Sequence, residues 1–247
     1  MDVLTFPSFD GVSLTYRAAG GGRTVLLLHG FLANAQLNWV APGITGKLLE
    51  AGYRVIAPDA RGHGGSRAPD TDAAFPPDVL ARDAESLLRH LDLTDYDLVA
   101  YSMGARAAVR MLVRGARPRR CVLGGLGDSG VLDPDARIAY FRDALLNGPA
   151  SADPEGAARM AQLMTWSGAE RAQVLHTLGT QPPTSAEELA TLTTPILVLS
   201  GSEDADNGSA DALARLLPNA RAQRTPGSHG TAVMEPAFAV AILAFLA

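Results

Sequence analysis

The residue of this chain that is best placed for chemistry is Ser102, which stands between a strand-like apolar run and a helical segment of small residues. Residues 98–101 predict a strand and residues 105–113 predict a helix. A tight turn between them would expose the Ser102 hydroxyl above a sheet, and the free N–H groups at the helix N-terminus could stabilise developing negative charge. Ser102 is therefore a candidate nucleophile, and the alternative is an ordinary N-capping serine.

A serine nucleophile needs a base that accepts its proton, and the chain contains five histidines. His90 lies late in a predicted helix and His176 lies in a region of helical patches, so we expect both in surface or packing roles. No two histidines have the spacing of a zinc protease, and the single cysteine, Cys121, lies in an apolar run that favours a buried thiol. The glycine-rich stretches match no phosphate- or dinucleotide-binding motif, so we expect neither a metal nor a cofactor.

The elements that would position these residues alternate between strand and helix. Short apolar runs without polar alternation are typical of parallel strands covered on both faces, and they occur at 25–28, 54–57, 98–101, 120–123 and 196–199. Helical character occurs at 79–91, 105–113, 210–217 and 232–246. Two earlier strand signals, at 3–6 and 12–17, flank a turn and predict an antiparallel hairpin. The pattern predicts an α/β fold with a doubly wound, mostly parallel sheet.

The alternation breaks between about residues 129 and 194, where helical patches occur and no convincing strand is present. Helix starts are indicated at Asp133, Asp153 and Ser185, because Asp or Ser can cap free N–H groups and the two aspartates are followed by proline. We interpret residues 129–190 as a helical cap insertion, with residues 1–128 and 191–247 forming the core.

These features together resemble the α/β-hydrolase family, and the resemblance runs along essentially the whole chain. The motif around Ser102 departs from the family's Gly-x-Ser-x-Gly, since Ala100 stands at the first glycine, where one extra methyl is the mildest change. The His-Gly-Phe segment 29–31 resembles the segment that lends one backbone N–H to the oxyanion hole. The resemblance implies that the amides of Phe31 and Met103 are the two donors.

The same resemblance implies that His229 is the general base, because it follows the strand-like run 220–223 and precedes the last helix. His29 is expected to be structural. His63 lies in the segment 59–66, which resembles a family signature of mainly architectural role.

The third member of the site would be a carboxylate that holds the histidine tautomer. Asp204 follows the run 196–199 at the position where the family usually carries it, and the order Ser102, Asp204, His229 is the family's order. Asp206, two residues later, and Asp128, a location known in related hydrolases, stay open as alternatives.

Such a site implies hydrolysis of an ester, lactone or thioester through an acyl-enzyme, and a small to medium, largely apolar carboxylic ester is the expected substrate. Two alternatives are a carbon–carbon hydrolase of vinylogous diketones and a slow-turnover, ligand-sensing protein. Large apolar side chains of the insertion and of the stretch after residues 29–31 are candidates for the pocket lining: Trp39, Met160, Met164 and Trp166. The alternative is that they pack in the core. Asn34, Gln36 and Asn38 could line the entrance or cap a short helix.

The composition argues against nucleic-acid and membrane partners, so we expect a small-molecule substrate, and the oligomeric state stays open. The net charge of −5 gives no general attraction to nucleic acid or to anionic membranes. No segment is apolar enough to span a bilayer, and the N-terminus lacks the basic and apolar regions of a signal peptide. A hydrophobic fraction of 47% is typical of a globular protein with a sizeable core. Because the single cysteine excludes an intramolecular disulfide and neither a signal peptide nor a membrane span is indicated, we expect a cytoplasmic protein.

Overall fold

An eight-stranded sheet forms the centre of the protein in the computed structural model, which describes residues 1–247. In chain order its strands are β1 (Asp2–Pro7), β2 (Ser13–Ala19), β3 (Thr24–Leu28), β4 (Arg54–Pro58), β5 (Tyr96–Tyr101), β6 (Cys121–Gly124), β7 (Ile196–Gly201) and β8 (Ala220–Thr225). Their spatial order is β1-β2-β4-β3-β5-β6-β7-β8. Only the β1–β2 and β2–β4 pairs are antiparallel. This confirms the predicted doubly wound sheet with an antiparallel hairpin at its start.

The central strands are apolar because both of their faces are covered. Alternate side chains of β3 point to opposite faces: Leu26 and Leu28 belong to one hydrophobic core, whereas Val25 and Leu27 belong to the other. All five residues of β3 are buried. The absence of polar alternation in this run therefore reflects a strand sandwiched between two helical layers.

Ten α-helices lie on the sheet or in the segment that follows β6. They are α1 (Ile44–Glu50), α2 (Val79–His90), α3 (Met103–Val113), α4 (Asp128–Leu132), α5 (Asp135–Asn147), α6 (Pro154–Ser167), α7 (Arg171–Thr177), α8 (Ala186–Leu189), α9 (Ala210–Leu216) and α10 (Pro236–Leu246). Helices α2, α3 and α9 contribute buried side chains to one core, while α1 and α10 contribute to the other. None of the helices has the length and hydropathy that a membrane crossing requires.

The last predicted helix differs from the observed one. A short turn covers Ala232–Met234, and α10 begins only at Pro236. Proline has no N–H to donate and suits the first turn of a helix, so the helical turn ends before Pro236 and a new helix begins there. The apolar periodicity continues across this break, which is why the sequence predicted one helix from 232 to 246.

The segment between β6 and β7, residues 125–195, contains helices α4 to α8 and no strand. We call it the helical segment. It forms a small third core that includes Leu145, Met160 and Val174, and this core also contains Leu32 from the loop after β3. The contact with Leu32 joins the helical segment to the C-terminal edge of the sheet.

A buried ion cluster fastens the N-terminal hairpin to α2. The Arg61 side chain is fully buried, and its guanidinium donates to both carboxylate oxygens of Asp83 at 2.8 and 3.0 Å. The same group donates to Asp10 in the β1–β2 turn at 2.6 and 2.9 Å and to the carbonyl of Ala74 at 2.7 Å. Asp83 is thus the buried counter-ion of a buried cation.

Replacing Asp83 by alanine is expected to lower the free energy of unfolding by about 3–5 kcal/mol, because it leaves the buried charge of Arg61 without its main partner. Urea denaturation followed by circular dichroism measures the change. A matched control is Asp95→Ala, since the Asp95 side chain is 73% exposed and lies 4.0 Å from Arg119. That surface change should alter stability by less than about 0.5 kcal/mol. Equal losses in the two variants would contradict the role given to Asp83.

Candidate functional site

A sharp turn between β5 and α3 presents the Ser102 side chain at the C-terminal edge of the sheet. Ser102 has φ 51° and ψ −112°, a conformation that a residue with a side chain rarely adopts and that costs roughly 1–3 kcal/mol. Its amide donates to the carbonyl of Gly124 at 2.8 Å, which ties the turn to β6. A Cβ at Gly104 would collide with the carbonyl oxygen of Leu28, so the turn requires glycine there. Ala100, at the first position of the motif, is accommodated with its methyl buried.

Three side chains from the loops after β5, β7 and β8 form a continuous hydrogen-bonded series. His229 Nε2 lies 2.9 Å from Ser102 Oγ, and His229 Nδ1 lies 3.0 and 3.2 Å from the two carboxylate oxygens of Asp204. The Asp204 side chain is only 4% exposed, so it accepts in an environment that excludes water. With a proton on Nδ1 donated to Asp204, Nε2 is free to accept the serine proton.

The other two candidate carboxylates contact different groups. Asp206 lies 2.6 Å from Arg137 of α5 and its amide donates to Asp204 at 3.2 Å. Asp128 accepts from the amide of Ser209 at 2.8 Å. The structure thus brings Asp204, and neither alternative, into contact with the imidazole.

Tyr101 contacts His229 through its hydroxyl and its ring, and the sequence analysis did not identify it as a residue of the site. Its hydroxyl donates to the backbone carbonyl of His229 at 2.6 Å, and the two rings lie 5.5 Å apart. Burial raises the pKa of Tyr101, so the hydroxyl stays protonated and keeps donating. Its position directly before the candidate nucleophile was the one feature of the sequence that could have indicated a role for this tyrosine in the site.

The amides of Phe31 and Met103 are available to a ligand, because neither donates to another group of the protein. Both residues line the pocket that contains Ser102. The preceding amide, of Gly30, donates to the side-chain oxygen of Asn38 at 2.9 Å. Asn38 is buried, so it holds this segment in place and does not line an entrance.

The ring of Phe31 packs against His63, which in turn packs against His29, and both histidines are buried. Nδ1 of His29 donates to the carbonyl of Gly30 and its Nε2 accepts from the amide of Ala60, both at 2.8 Å, which gives His29 a structural role. The His63 ring packs edge-on against both His29 and Phe31. Burial lowers the pKa of His29, and burial together with the neighbouring His29 lowers the pKa of His63 to about 3.

This burial predicts that the protein loses stability in mild acid. Below pH 6.5 the unfolded chain protonates His63 while the folded protein does not, until the pH reaches about 3. Since the unfolded state binds more protons, the free energy of unfolding decreases as the pH is lowered through this window. The decrease is about 1.4 kcal/mol per pH unit for this group. Denaturation at several pH values measures the slope, and His63→Phe should reduce it. An unchanged slope in the variant would contradict this origin.

The pocket above Ser102 has a mixed lining of apolar and polar residues. It is formed by Phe31, Ser102, Met103, Arg106, Arg137, Ile138, Phe141, Thr177, Leu178, Gly179, Gln181 and Asn207. Five of these side chains are apolar, and two are arginines. No group of three or more His, Cys, Asp or Glu side chains is placed to bind a metal ion.

None of the four large side chains predicted as possible pocket lining lies in this pocket, which corrects that expectation. Trp39 is fully buried in the core that contains α1 and α10, and Trp166 is 67% exposed. Met160 and Met164 line a separate cavity within the helical segment. Large apolar residues are needed for packing as well as for ligand contact, and sequence alone does not separate the two uses.

Comparison with known proteins gives a consistent family and fold. The chain matches the model of the Alpha/beta hydrolase family over residues 25–241. It is 26% identical to esterase RhEst1 from Rhodococcus sp. ECU1013, with a TM-score of 0.79 and a match that covers 100% of this chain and 98% of that one. A hydrolase from Pseudomonas aeruginosa PA01 aligns at 25% identity and a TM-score of 0.77, covering 99% and 98% of the two chains.

A relative from a different enzyme class matches a shorter region. The non-heme chloroperoxidase CPO-A1 of Kitasatospora aureofaciens is 41% identical over 105 residues. The match covers 42% of this chain and 36% of that protein, so it spans little more than a third of the relative's length.

Proposed function

Because the chain belongs to the α/β-hydrolase family, we propose that it is a serine hydrolase that cleaves carboxylic esters through an acyl-enzyme. The observation that carries the proposal is the series from Ser102 through His229 to Asp204, with its donor–acceptor distances of 2.9 and 3.0 Å. The full-length similarity to an esterase structure supports the same chemistry.

In the proposed reaction, Ser102 Oγ attacks the ester carbonyl while His229 Nε2 takes the hydroxyl proton. The carbonyl oxygen becomes an oxyanion, which the amides of Phe31 and Met103 stabilise. As the tetrahedral intermediate collapses, the bond to the alkoxy oxygen breaks and His229 gives its proton to the departing alcohol. Water, deprotonated by His229, then attacks the acyl-enzyme and releases the acid and free Ser102. Asp204 stabilises the imidazolium in both halves.

We also propose residues 129–190 as a cap over this site, with residues 1–128 and 191–247 as the core. Support comes from the pocket lining, to which α5 contributes Arg137, Ile138 and Phe141, and the end of α7 contributes Thr177. Five of the twelve lining residues are apolar, which suits the acyl or alkyl group of a small to medium ester.

The direct test is labelling with a fluorophosphonate probe, followed by hydrolysis of a chain-length series of p-nitrophenyl esters. We expect stoichiometric labelling and faster hydrolysis of the shorter acyl chains, because the pocket is small. A vinylogous diketone in the same panel separates carbon–carbon cleavage from ester cleavage. Failure of the wild-type protein to label or to hydrolyse any ester would contradict the proposal, and a ligand-induced rise in Tm without product would favour a sensing role.

A further inference from the structure

The pocket above Ser102 contains an arginine that forms no salt bridge with a carboxylate. Arg106, on α3, makes one side-chain hydrogen bond, from Nη2 to the carbonyl oxygen of Gln181 at 2.9 Å. No carboxylate lies within 4.0 Å of its guanidinium. A guanidinium carries five N–H donors, so most of the donor capacity of Arg106 is unused.

The neighbouring arginines are different in this respect. On the same helix, Arg110 lies 2.9 Å from Asp78, and Arg114, the residue that follows the helix, lies 2.8 Å from Glu85. Arg137, the second arginine of the pocket, lies 2.6 Å from Asp206 and stacks over aromatic rings of α5. Of the two arginines that line the pocket, only Arg106 therefore lacks a salt-bridge partner.

Keeping this charge without a salt-bridge partner in a partly enclosed pocket is unfavourable. Burial lowers the pKa of Arg106 to about 10, and the field of Asp135 offsets only part of that effect. The guanidinium remains protonated at neutral pH. An anion that entered the pocket would restore the interactions that burial removes.

Arg106 lies one turn of α3 beyond Ser102 and lines the same pocket. It lies four residues beyond Ser102, and its amide donates to the Ser102 carbonyl at 3.0 Å, so it follows the turn by one helical repeat, roughly 6 Å along the axis. Side chains on a helix lean toward its N-terminus. The guanidinium donates to the carbonyl of Gln181, and the side-chain amide of Gln181 donates to the carbonyl of Met103, the residue after Ser102, at 3.0 Å.

We propose that the substrates of this enzyme carry a free carboxylate a few bonds from the ester, and that Arg106 binds it. The inference rests on the proposed ester hydrolysis and narrows it, because it replaces a largely apolar ester with one that has a single negative charge. A guanidinium fork binds a carboxylate in a bidentate way and thereby orients the substrate as well as holding it. The apolar lining residues, among them Phe31, Ile138 and Phe141, would contact the rest of the molecule.

The test compares esters of equal size that differ in charge. Monomethyl glutarate and methyl glutaramate place a carboxylate or its neutral amide on the acyl side, while butyryloxyacetate and butyryloxyacetamide place them on the alcohol side. The readout is the ratio of kcat/KM for the acid over the amide in each pair, from titration of released acid. We expect the wild-type enzyme to prefer the acid in one pair, and Arg106→Gln to lower that ratio about 10- to 100-fold.

Three further variants make the result specific. Arg106→Lys keeps the charge without the fork and should retain part of the preference. Arg114→Gln removes one charge from the same helix outside the pocket and should leave the ratio unchanged. If Arg137→Gln rather than Arg106→Gln removed the preference, the assignment to Arg106 would be wrong.

The outcomes separate this inference from the proposed function. A wild-type enzyme that hydrolyses the amides as well as the acids in both pairs supports ester hydrolysis and overturns the carboxylate proposal. That comparison needs no variant, so it holds even if Arg106→Gln fails to fold. Glutarate binding, measured by calorimetry on Ser102→Ala, gives a readout without turnover: we expect saturable binding that Ser102→Ala/Arg106→Gln loses, and no binding to Ser102→Ala overturns the proposal.

Discussion

Replacing Ser102 by alanine is expected to reduce kcat for ester hydrolysis by about 10⁴- to 10⁶-fold, because the acyl-enzyme can no longer form. The remaining His229 and the two backbone amides can assist only a direct attack by water. Steady-state hydrolysis of p-nitrophenyl butyrate measures the loss, and fluorophosphonate labelling should disappear with it.

Ser102→Gly is the informative companion variant. Because Ser102 adopts φ 51°, glycine relieves backbone strain that alanine retains. We expect both variants to be inactive and the glycine variant to be more stable than the wild-type protein, by about 1 kcal/mol or more. A Ser102→Ala protein that still labels would refute the nucleophile assignment. A glycine variant without added stability would show that the turn is unstrained.

The second large effect is expected for Asp204→Asn, which should reduce kcat by about 10⁴-fold. The asparagine amide can place an N–H toward Nδ1 of His229, which favours the tautomer with its proton on Nε2. That tautomer cannot accept the proton of Ser102. The size of the variant side chain is nearly unchanged, so folding should be retained and Tm should stay close to the wild-type value.

Two matched variants test the choice of carboxylate. Asp206→Asn removes the partner of Arg137, and Asp128→Asn weakens an acceptor for the amide of Ser209. Neither group contacts the imidazole, so each variant should keep kcat within about tenfold of the wild-type value, far from the loss that a missing triad carboxylate causes. A loss in Asp206→Asn as large as that in Asp204→Asn would reassign the acid.

The parallel strands and the Ser102 turn could be predicted because one physical requirement dominates each of them. A strand covered on both faces must be apolar throughout, and β3 and β5 are almost entirely so. The turn after β5 needs small residues around a strained serine, and Gly104 supplies one of them. Helix α1 was missed because its seven residues include Gly46 and give too few periodic apolar positions.

The contents of the pocket could not be predicted, because they depend on residues that are distant in the sequence. Trp39 and Trp166 are the same residue type, yet Trp39 is buried in a core and Trp166 is exposed. Arg106 did carry a local signal, as a charged residue among the small residues 105–108. Its significance became apparent only when its surroundings showed that no carboxylate pairs with it.

The placement of the helical segment has a consequence for the way the substrate range of this fold can diverge. Strands β6 and β7 are hydrogen-bonded neighbours, so the two ends of residues 125–195 are fixed at the sheet whatever lies between them. Once the ends are held, doubling the length of a loop adds only about 0.6 kcal/mol of closure entropy. Insertions and exchanges between β6 and β7 therefore add little to the closure entropy that folding must overcome. Ser102, Asp204 and His229 all lie outside residues 125–195. A different helical segment at this position would change the lining of the pocket and leave the reacting groups in place.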